Sequence, residues 1–180
     1  MSEKVIVLDR DGVINEDLWG YVTVLEEFQP IEGSLEAIAK LTEAGFIIAI
    51  ATNQACINKK IITEKELNEI HDYMLRLIEE AGGRIEFVAF CPHAPEEGCG
   101  CRKPKTGLLK QIEGYLGISL RGSFFVGDKE ADMLCATNFG CDPILVKTGY
   151  GAITLSSNNC PPKEKCFRDL LSAVNYILGF

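Results

Sequence analysis

The chain has 180 residues, 47% of them hydrophobic and 24% charged, with a formal net charge of −8. That length suits one domain (residues 1–180) with a buried core, and the composition is that of an ordinary globular protein. The acidic balance excludes a general nucleic-acid binder, yet leaves room for a small anion met by a local basic pocket. No apolar run reaches the ~18 residues of a membrane span. The opening MSEKVIVLDRDG has one short apolar run and no signal-peptide pattern, so a cytoplasmic chain with reduced thiols and no membrane partner is expected.

Apolar runs alternate with helical patterns. Residues 4–8 (KVIVL) read as a buried strand, and residues 34–44 as a helix with Leu35, Ile38 and Leu41 on one face and Gly45 as its stop. Residues 46–51 (FIIAIA) form a second strand. Thr63 and Glu66 make a T-x-x-E capping box, with Ile62 and Leu67 at the staple positions, and Leu67, Ile70, Met74, Leu77 and Ile78 supply the stripe of the helix that follows. His71 in that helix reads as a surface or boundary residue. Strands are predicted at 85–90, 123–126 and 143–146, and helices near 107–116, 129–139 and 167–178. This alternation predicts an α/β fold, a Rossmann-like, mainly parallel sheet with helices on both faces. In such sheets the site lies beyond the carboxyl ends of the strands.

Those ends carry unusual polar residues. After the first strand, Asp9 and Asp11 sit two residues apart in LDRDG. Two close carboxylates repel each other, and a hard cation such as magnesium would neutralise them. One carboxylate could then attack phosphorus while the other handles the proton. A solvated turn with two surface aspartates is the competing reading. The second strand ends in Thr52 and Asn53, donors for a phosphate or plain loop residues. Arg102 and Lys103 bring cations beside the third strand end, where a solvated charge pair is the alternative. Asp128 and Asp132, four apart, stack on one face of a first helical turn; helix capping would explain Asp128 and leave Asp132 unexplained.

Residues 91–101 read CPHAPEEGCGC, which gathers Cys91, His93, Cys99 and Cys101 as C-x-H-x5-C-x-C. Thiolates plus imidazole suit a closed, tetrahedral, structural zinc site. A disulfide is disfavoured by the reducing compartment and by the closeness of Cys99 to Cys101. The segment itself is expected to be neither helix nor strand. Cys56, Cys135, Cys141, Cys160 and Cys166 are expected as free thiols.

A carboxylate pair, a hydroxyl, a cation and a second carboxylate pair, in that order, resemble the four motifs of the haloacid dehalogenase superfamily of phosphotransferases. DRDGVIN, WGYV, TNQ, C-P-H…C-x-C-R-K-P and GDKEADM resemble its heptose-bisphosphate and histidinol-phosphate phosphatase branch. Residues 17–28 (DLWGYVTVLEEF) look more like the heptose enzymes. The resemblance implies a magnesium-dependent phosphoric monoester hydrolase that removes the 7-phosphate of D-glycero-D-manno-heptose 1,7-bisphosphate. Histidinol phosphate or another small sugar phosphate is the alternative substrate. It further implies Asp9 as nucleophile and Asp11 as general acid and base, with Thr52 and Lys103 on the transferring phosphate. Magnesium would be held by Asp9, the Asp11 carbonyl and Asp128. Asn53, Arg102 and Lys129 would contact phosphate or substrate, and Asp132 would orient its neighbours. As the acid, Asp11 is expected to have a raised pKa.

The chain departs from the resembled pattern after TNQ. ACINKK (55–60) stands where the heptose enzymes carry a small segment with an arginine. Lys59, Lys60, Arg102 and Lys105 are candidates to anchor a second phosphate. The cap is minimal, residues 15–30 plus the Cys/His loop, which suits a small phosphorylated sugar. Trp19 and Tyr21 either close over that sugar or pack the cap. The protein is expected to be a monomer.

Overall fold

The computed structural model describes residues 4–180. Its centre is a six-stranded sheet in the order β3-β2-β1-β4-β5-β6. The strands are β1 (Lys4–Leu8), β2 (Phe46–Asn53), β3 (Phe87–Cys91), β4 (Phe124–Gly127), β5 (Asp142–Val146) and β6 (Cys166–Phe167). Every neighbouring pair is parallel. The helices are α1 (Ser34–Glu43), α2 (Glu64–Glu80), α3 (Gly107–Leu116), α4 (Glu130–Phe139), α5 (Gly151–Thr154) and α6 (Leu170–Leu178).

The twofold alternation of strand side chains divides the core. Ile6 and Leu8 of β1 and Ile48 and Ile50 of β2 face α1, α2 and α6, where Ile38, Leu41, Leu67, Ile70, Met74 and Val174 cover them. Val5, Val7, Ala49 and Ala51 face the other way, onto Leu108, Leu109 and Ile112 of α3 and Ala136 of α4. A sheet covered on both faces must be apolar on both, which is why its strands read as unbroken apolar runs. At α2 the capping box forms: Thr63 Oγ1 accepts from the Glu66 N–H at 3.2 Å, and the Thr63 N–H donates to Glu66 Oε2 at 2.7 Å.

Several boundaries differ from expectation. β2 runs two residues further, because Thr52 and Asn53 continue the ladder opposite Phe90 and Cys91. Cys91 is therefore the last residue of β3 rather than part of an irregular loop. α6 starts at Leu170, where the Asp169 side chain accepts from the Ser172 N–H at 2.8 Å. The two-residue β6 and the one-turn α5 are too short to leave a periodic signal. All eight cysteines are free. Among the described residues no helix is long and apolar enough to cross a membrane.

The strand order reverses at β1, with β2 on one side and β4 on the other. A crevice opens there at the carboxyl ends.

Candidate active site

That crevice is a pocket of about 420 Å3 lined by Asp9, Asp11, Thr52, Asn53, Arg102, Lys103, Lys129 and Asp132. The four strand ends that the sequence marked therefore meet in one place. Asp9 follows β1 directly, and its N–H donates to the Val126 carbonyl of β4 at 2.9 Å.

Lys103 is 4% exposed. Its ammonium donates to the Ala51 carbonyl at 2.7 Å and lies 2.9 Å from Asp9 Oδ1 and 2.6 Å from Asp132 Oδ1. Burial works against its charge, but the Asp132 and Asp9 carboxylates outweigh it and raise the pKa. The Asn53 amide aims the lysine: Nδ2 donates to the Lys103 carbonyl at 3.2 Å and Oδ1 accepts from its N–H at 3.0 Å. Both polar ends of Asn53 are thus engaged in positioning Lys103. Thr52, also buried, accepts from Gln54 Nε2 at 2.9 Å, which leaves its hydroxyl proton for the pocket.

Oxygens of Asp9, Asp128 and Asp132 lie within 4.8 Å of one another. Asp132 Oδ2 accepts from the N–H groups of Asp128 at 3.2 Å and Lys129 at 3.0 Å, so Asp132, not Asp128, satisfies the start of α4. Asp128 Oδ2 accepts from the Tyr150 N–H at 2.8 Å, while its Oδ1 is buried without a hydrogen-bond partner. Burial first, then the Asp132 charge, pushes Asp9 up to about 6. Burial first, then Asp9 and Asp132, pushes Asp128 up to about 8 against the pull of Lys129. Gly12 and Gly149 both have positive φ and crowd Asp128; a Cβ on either would collide with its Oδ2. An all-oxygen cluster, held this tightly and with the buried Asp128 Oδ1 left without a donor, fits a hard cation. Asp132 is already engaged by Lys103 and two N–H groups, which leaves Asp9 and Asp128 to hold it.

Asp11 departs from expectation. Its pKa is lowered, not raised. Burial favours the neutral acid, but Arg10 reverses this: Nη2 donates to both Asp11 oxygens, at 2.8 and 3.0 Å, and Nε to one of them at 3.2 Å. Asn15 Nδ2 and Gln54 Nε2 add donors at 3.0 and 2.9 Å. The neighbouring carboxylates do not set this group's ionisation; the donors around it do. His71 is a second correction. It is 5% exposed, with Nε2 3.1 Å from Arg10 Nη1, and burial followed by the Arg10 charge lowers its pKa to about 3.

The pocket mouth adds Asp17, Trp19, Tyr21, Lys59 and Tyr150. Lys129 Nζ lies 2.7 Å from Asp17 Oδ2 and 4.7 Å above the Tyr150 ring. Trp19 is 62% exposed and meets Tyr150 with ring centroids 4.3 Å apart. Of the candidate cationic anchors, Arg102 and Lys59 line the pocket. Lys60 does not line it, and Lys105 is turned to the Gly98 and Cys99 carbonyls at 2.8 and 2.6 Å. Arg10, Gln54, Asp17 and Tyr150 were missed as site residues. Tyr150 follows the fifth strand, so the strand-end rule could have found it. The others required knowing which way side chains turn.

In the Cys/His loop the sulfurs of Cys91, Cys99 and Cys101 lie 3.1–3.6 Å apart pairwise. This is far beyond the roughly 2.05 Å of a disulfide and near the separation of thiolates sharing a tetrahedral metal. His93 is not drawn into this group: its Nδ1 pairs with Glu97 Oε1 at 3.3 Å. Burial pushes the Cys91 thiol up, whereas the Arg102 N–H and Cys101 overcome burial to hold Cys99 at about 7. Arg102 Nη1 donates to the His93 carbonyl at 3.2 Å, which ties this loop to the pocket.

The chain is 42% identical over 178 residues to D-glycero-beta-D-manno-heptose-1,7-bisphosphate 7-phosphatase of Pseudomonas aeruginosa, covering 99% of both chains. It belongs to this phosphatase family. The Neisseria meningitidis enzyme of the same name is 42% identical, over 97% of this chain and 95% of the relative. The crystal structure of D,D-heptose 1,7-bisphosphate phosphatase from B. bronchiseptica, complexed with magnesium and phosphate, superposes with a TM-score of 0.93 at 38% identity and 98% coverage of both chains. The HAD-hydrolase-like family model matches residues 100–173, which include Lys103, Asp128 and Asp132. Membership of the family accounts for the phosphatase character of the pocket, since the Pseudomonas aeruginosa relative aligns along 99% of this chain.

Proposed function

We propose that this chain hydrolyses the 7-phosphate of D-glycero-D-manno-heptose 1,7-bisphosphate through an aspartyl-phosphate on Asp9. The observation that carries the reading is the 2.9 Å pairing of Lys103 with Asp9 at the head of the crevice, in a member of this family. Lys103 and Thr52 would donate to the oxygens of the transferring phosphate, while Arg102, Lys59 and Lys129 supply positive charge at the mouth.

Magnesium, held by Asp9, Asp128 and the Asp11 carbonyl, would neutralise charge on the phosphoryl oxygens. An Asp9 oxygen attacks phosphorus, and the bond from phosphorus to the leaving sugar oxygen breaks with its electron pair on that oxygen, which takes a proton from Asp11. Water then attacks the phosphoryl group, gives a proton to Asp11 and releases Asp9. In the substrate-free protein Asp11 is paired with Arg10 in its ionised form, the form that accepts the proton from water. A phosphate dianion arriving beside it raises its pKa, so the proton needed for the first step is taken up with the substrate.

Zinc on Cys91, Cys99 and Cys101, with His93 swung away from Glu97 as fourth ligand, would be structural. It would hold Arg102 and Lys103 beside the pocket. The reading takes the chain as one domain, acting as a cytoplasmic monomer on a small phosphorylated sugar.

The test is a magnesium-dependent phosphate-release assay on both anomers of the heptose bisphosphate and on histidinol phosphate. The heptose bisphosphate is expected to be the better substrate, losing its 7-phosphate. Faster turnover of histidinol phosphate would overturn the substrate assignment.

A further inference from the structure

Arg10 is the largest side chain that is completely buried, and it does not line the pocket. Burying a guanidinium is costly, and packed apolar side chains would stabilise a core at least as well. The residue therefore calls for an explanation in function. Its contacts run in two directions. Nε and Nη2 fork onto the Asp11 carboxylate at 2.8–3.2 Å, and Nη1 lies 3.1 Å from His71 Nε2. A guanidinium can only donate, so His71 accepts through Nε2 and is neutral, with its proton on Nδ1. His71 comes from the middle of α2 and packs edge-on to Phe90 at 6.0 Å. The side chain that transmits this arrangement to the pocket is Asp11, which is 20% exposed.

Two-point contact fixes the plane of a carboxylate, which a single lysine ammonium cannot do. Gln54 completes the hold from the other side. Its Oε1 accepts from the Cys56 thiol at 3.6 Å, which turns Nε2 toward Asp11 at 2.9 Å.

We propose that Arg10, aimed by His71, is a positioning residue that sets the Asp11 carboxylate at the angle needed to take the proton of the water attacking the phospho-enzyme. This rests on the phosphatase reading but not on the heptose as substrate. In the step concerned, the water oxygen bonds to phosphorus, its proton passes to Asp11, and the phosphorus–Asp9 bond breaks with its electron pair on Asp9.

p-Nitrophenyl phosphate separates the two half-reactions, because its leaving group departs without a proton. Rapid mixing of the intact protein with this ester and magnesium gives the rate of the first step as a burst of nitrophenolate and that of the second as the steady state. His71→Leu removes the acceptor for Arg10. It is expected to leave the burst rate within about twofold and to lower the steady-state rate by ten- to about a hundredfold, the range of a misplaced catalytic group. His71→Gln restores an acceptor oxygen and is expected to recover the steady state to within about threefold of wild type by the same reasoning. Arg10→Lys, which leaves α2 untouched, should repeat the His71→Leu pattern and decides the matter if His71→Leu does not fold. Burst and steady state falling in parallel in a folded variant, or a steady state that neither substitution changes, would overturn the proposal. A wild-type protein that turns over no phosphate ester would instead remove the phosphatase reading beneath it.

Discussion

Lys103 and Asp132 form an ion pair 2.6 Å long between side chains that are 2% and 1% exposed. Lys103 also touches Asp9, so the pair joins the carboxylate that follows β1 to the start of α4, where Asp132 accepts two backbone N–H groups. Removing one partner of a buried pair typically costs about 3–5 kcal/mol, and the low end applies where, as here, Asp9 still faces the lysine. Asp132→Asn is therefore expected to lower the unfolding free energy by about 3 kcal/mol in urea titrations. It should also lower kcat, because Lys103 loses an anchor. A loss below about 1 kcal/mol would be the signature of an exposed pair and would contradict the burial described here.

Metal content tests the cysteine cluster. Protein purified without chelator is expected to carry about one zinc per chain, by the ligand count of the loop. Cys99→Ser should lower zinc content, thermal midpoint and activity together, since Arg102 is bonded to the same loop. Purified protein without zinc but with Cys91 and Cys101 in a disulfide would rule out the site.

Stability against pH reports on His71. Its folded pKa, about 3, lies below the ordinary 6.5. Between these values the unfolded chain binds a proton that the folded one does not, so stability is lost as pH falls from about 7 toward 3, at up to about 1.4 kcal/mol per pH unit. Asp9 and Asp128, whose pKa values are raised, act with the opposite sign as pH rises from about 4 to 8. Comparing wild type with His71→Gln across this range cancels the shared carboxylates. The wild type should have the steeper acid loss; identical slopes would mean that His71 is not buried and neutral.

The mouth should affect substrate binding far more than folding. Trp19 is largely exposed and leans on Tyr150. Trp19→Ala is expected to raise KM for a sugar phosphate by about tenfold, roughly the 1.4 kcal/mol of one good stacking contact, with the thermal midpoint unchanged. An unchanged KM would assign Trp19 to packing of the cap.

Much of this site could be read from the chain because its signals are local. Asp9, Thr52 and Asp128 each directly follow or end an apolar run, Lys103 closes the Cys/His loop that leaves β3, and parallel βα units bring such ends together. Glycine and capping signals placed α1 and α2 closely for the same reason. What escaped depends on the direction of side chains. Arg10 stands between Asp9 and Asp11 yet turns inward, and His71 lies on a helix face whose burial by Arg10 no periodicity reveals. The ionisation of Asp11 was misjudged because nearness in sequence to Asp9 suggested repulsion, whereas the fold surrounds Asp11 with donors from Arg10, Asn15 and Gln54. Asp17 pairs with Lys129, 112 residues away, a contact that only the folded cap creates.

The most direct measurement is the site of the covalent phosphate. Asp11→Asn protein mixed with magnesium and an aryl phosphate, quenched in acid within one turnover, should carry one phosphoryl group. Borohydride reduction and peptide mass mapping are expected to place it on Asp9, with no label in Asp9→Asn protein. Phosphate found on another residue, or turnover at the wild-type rate by Asp9→Asn, would contradict the aspartyl-phosphate route.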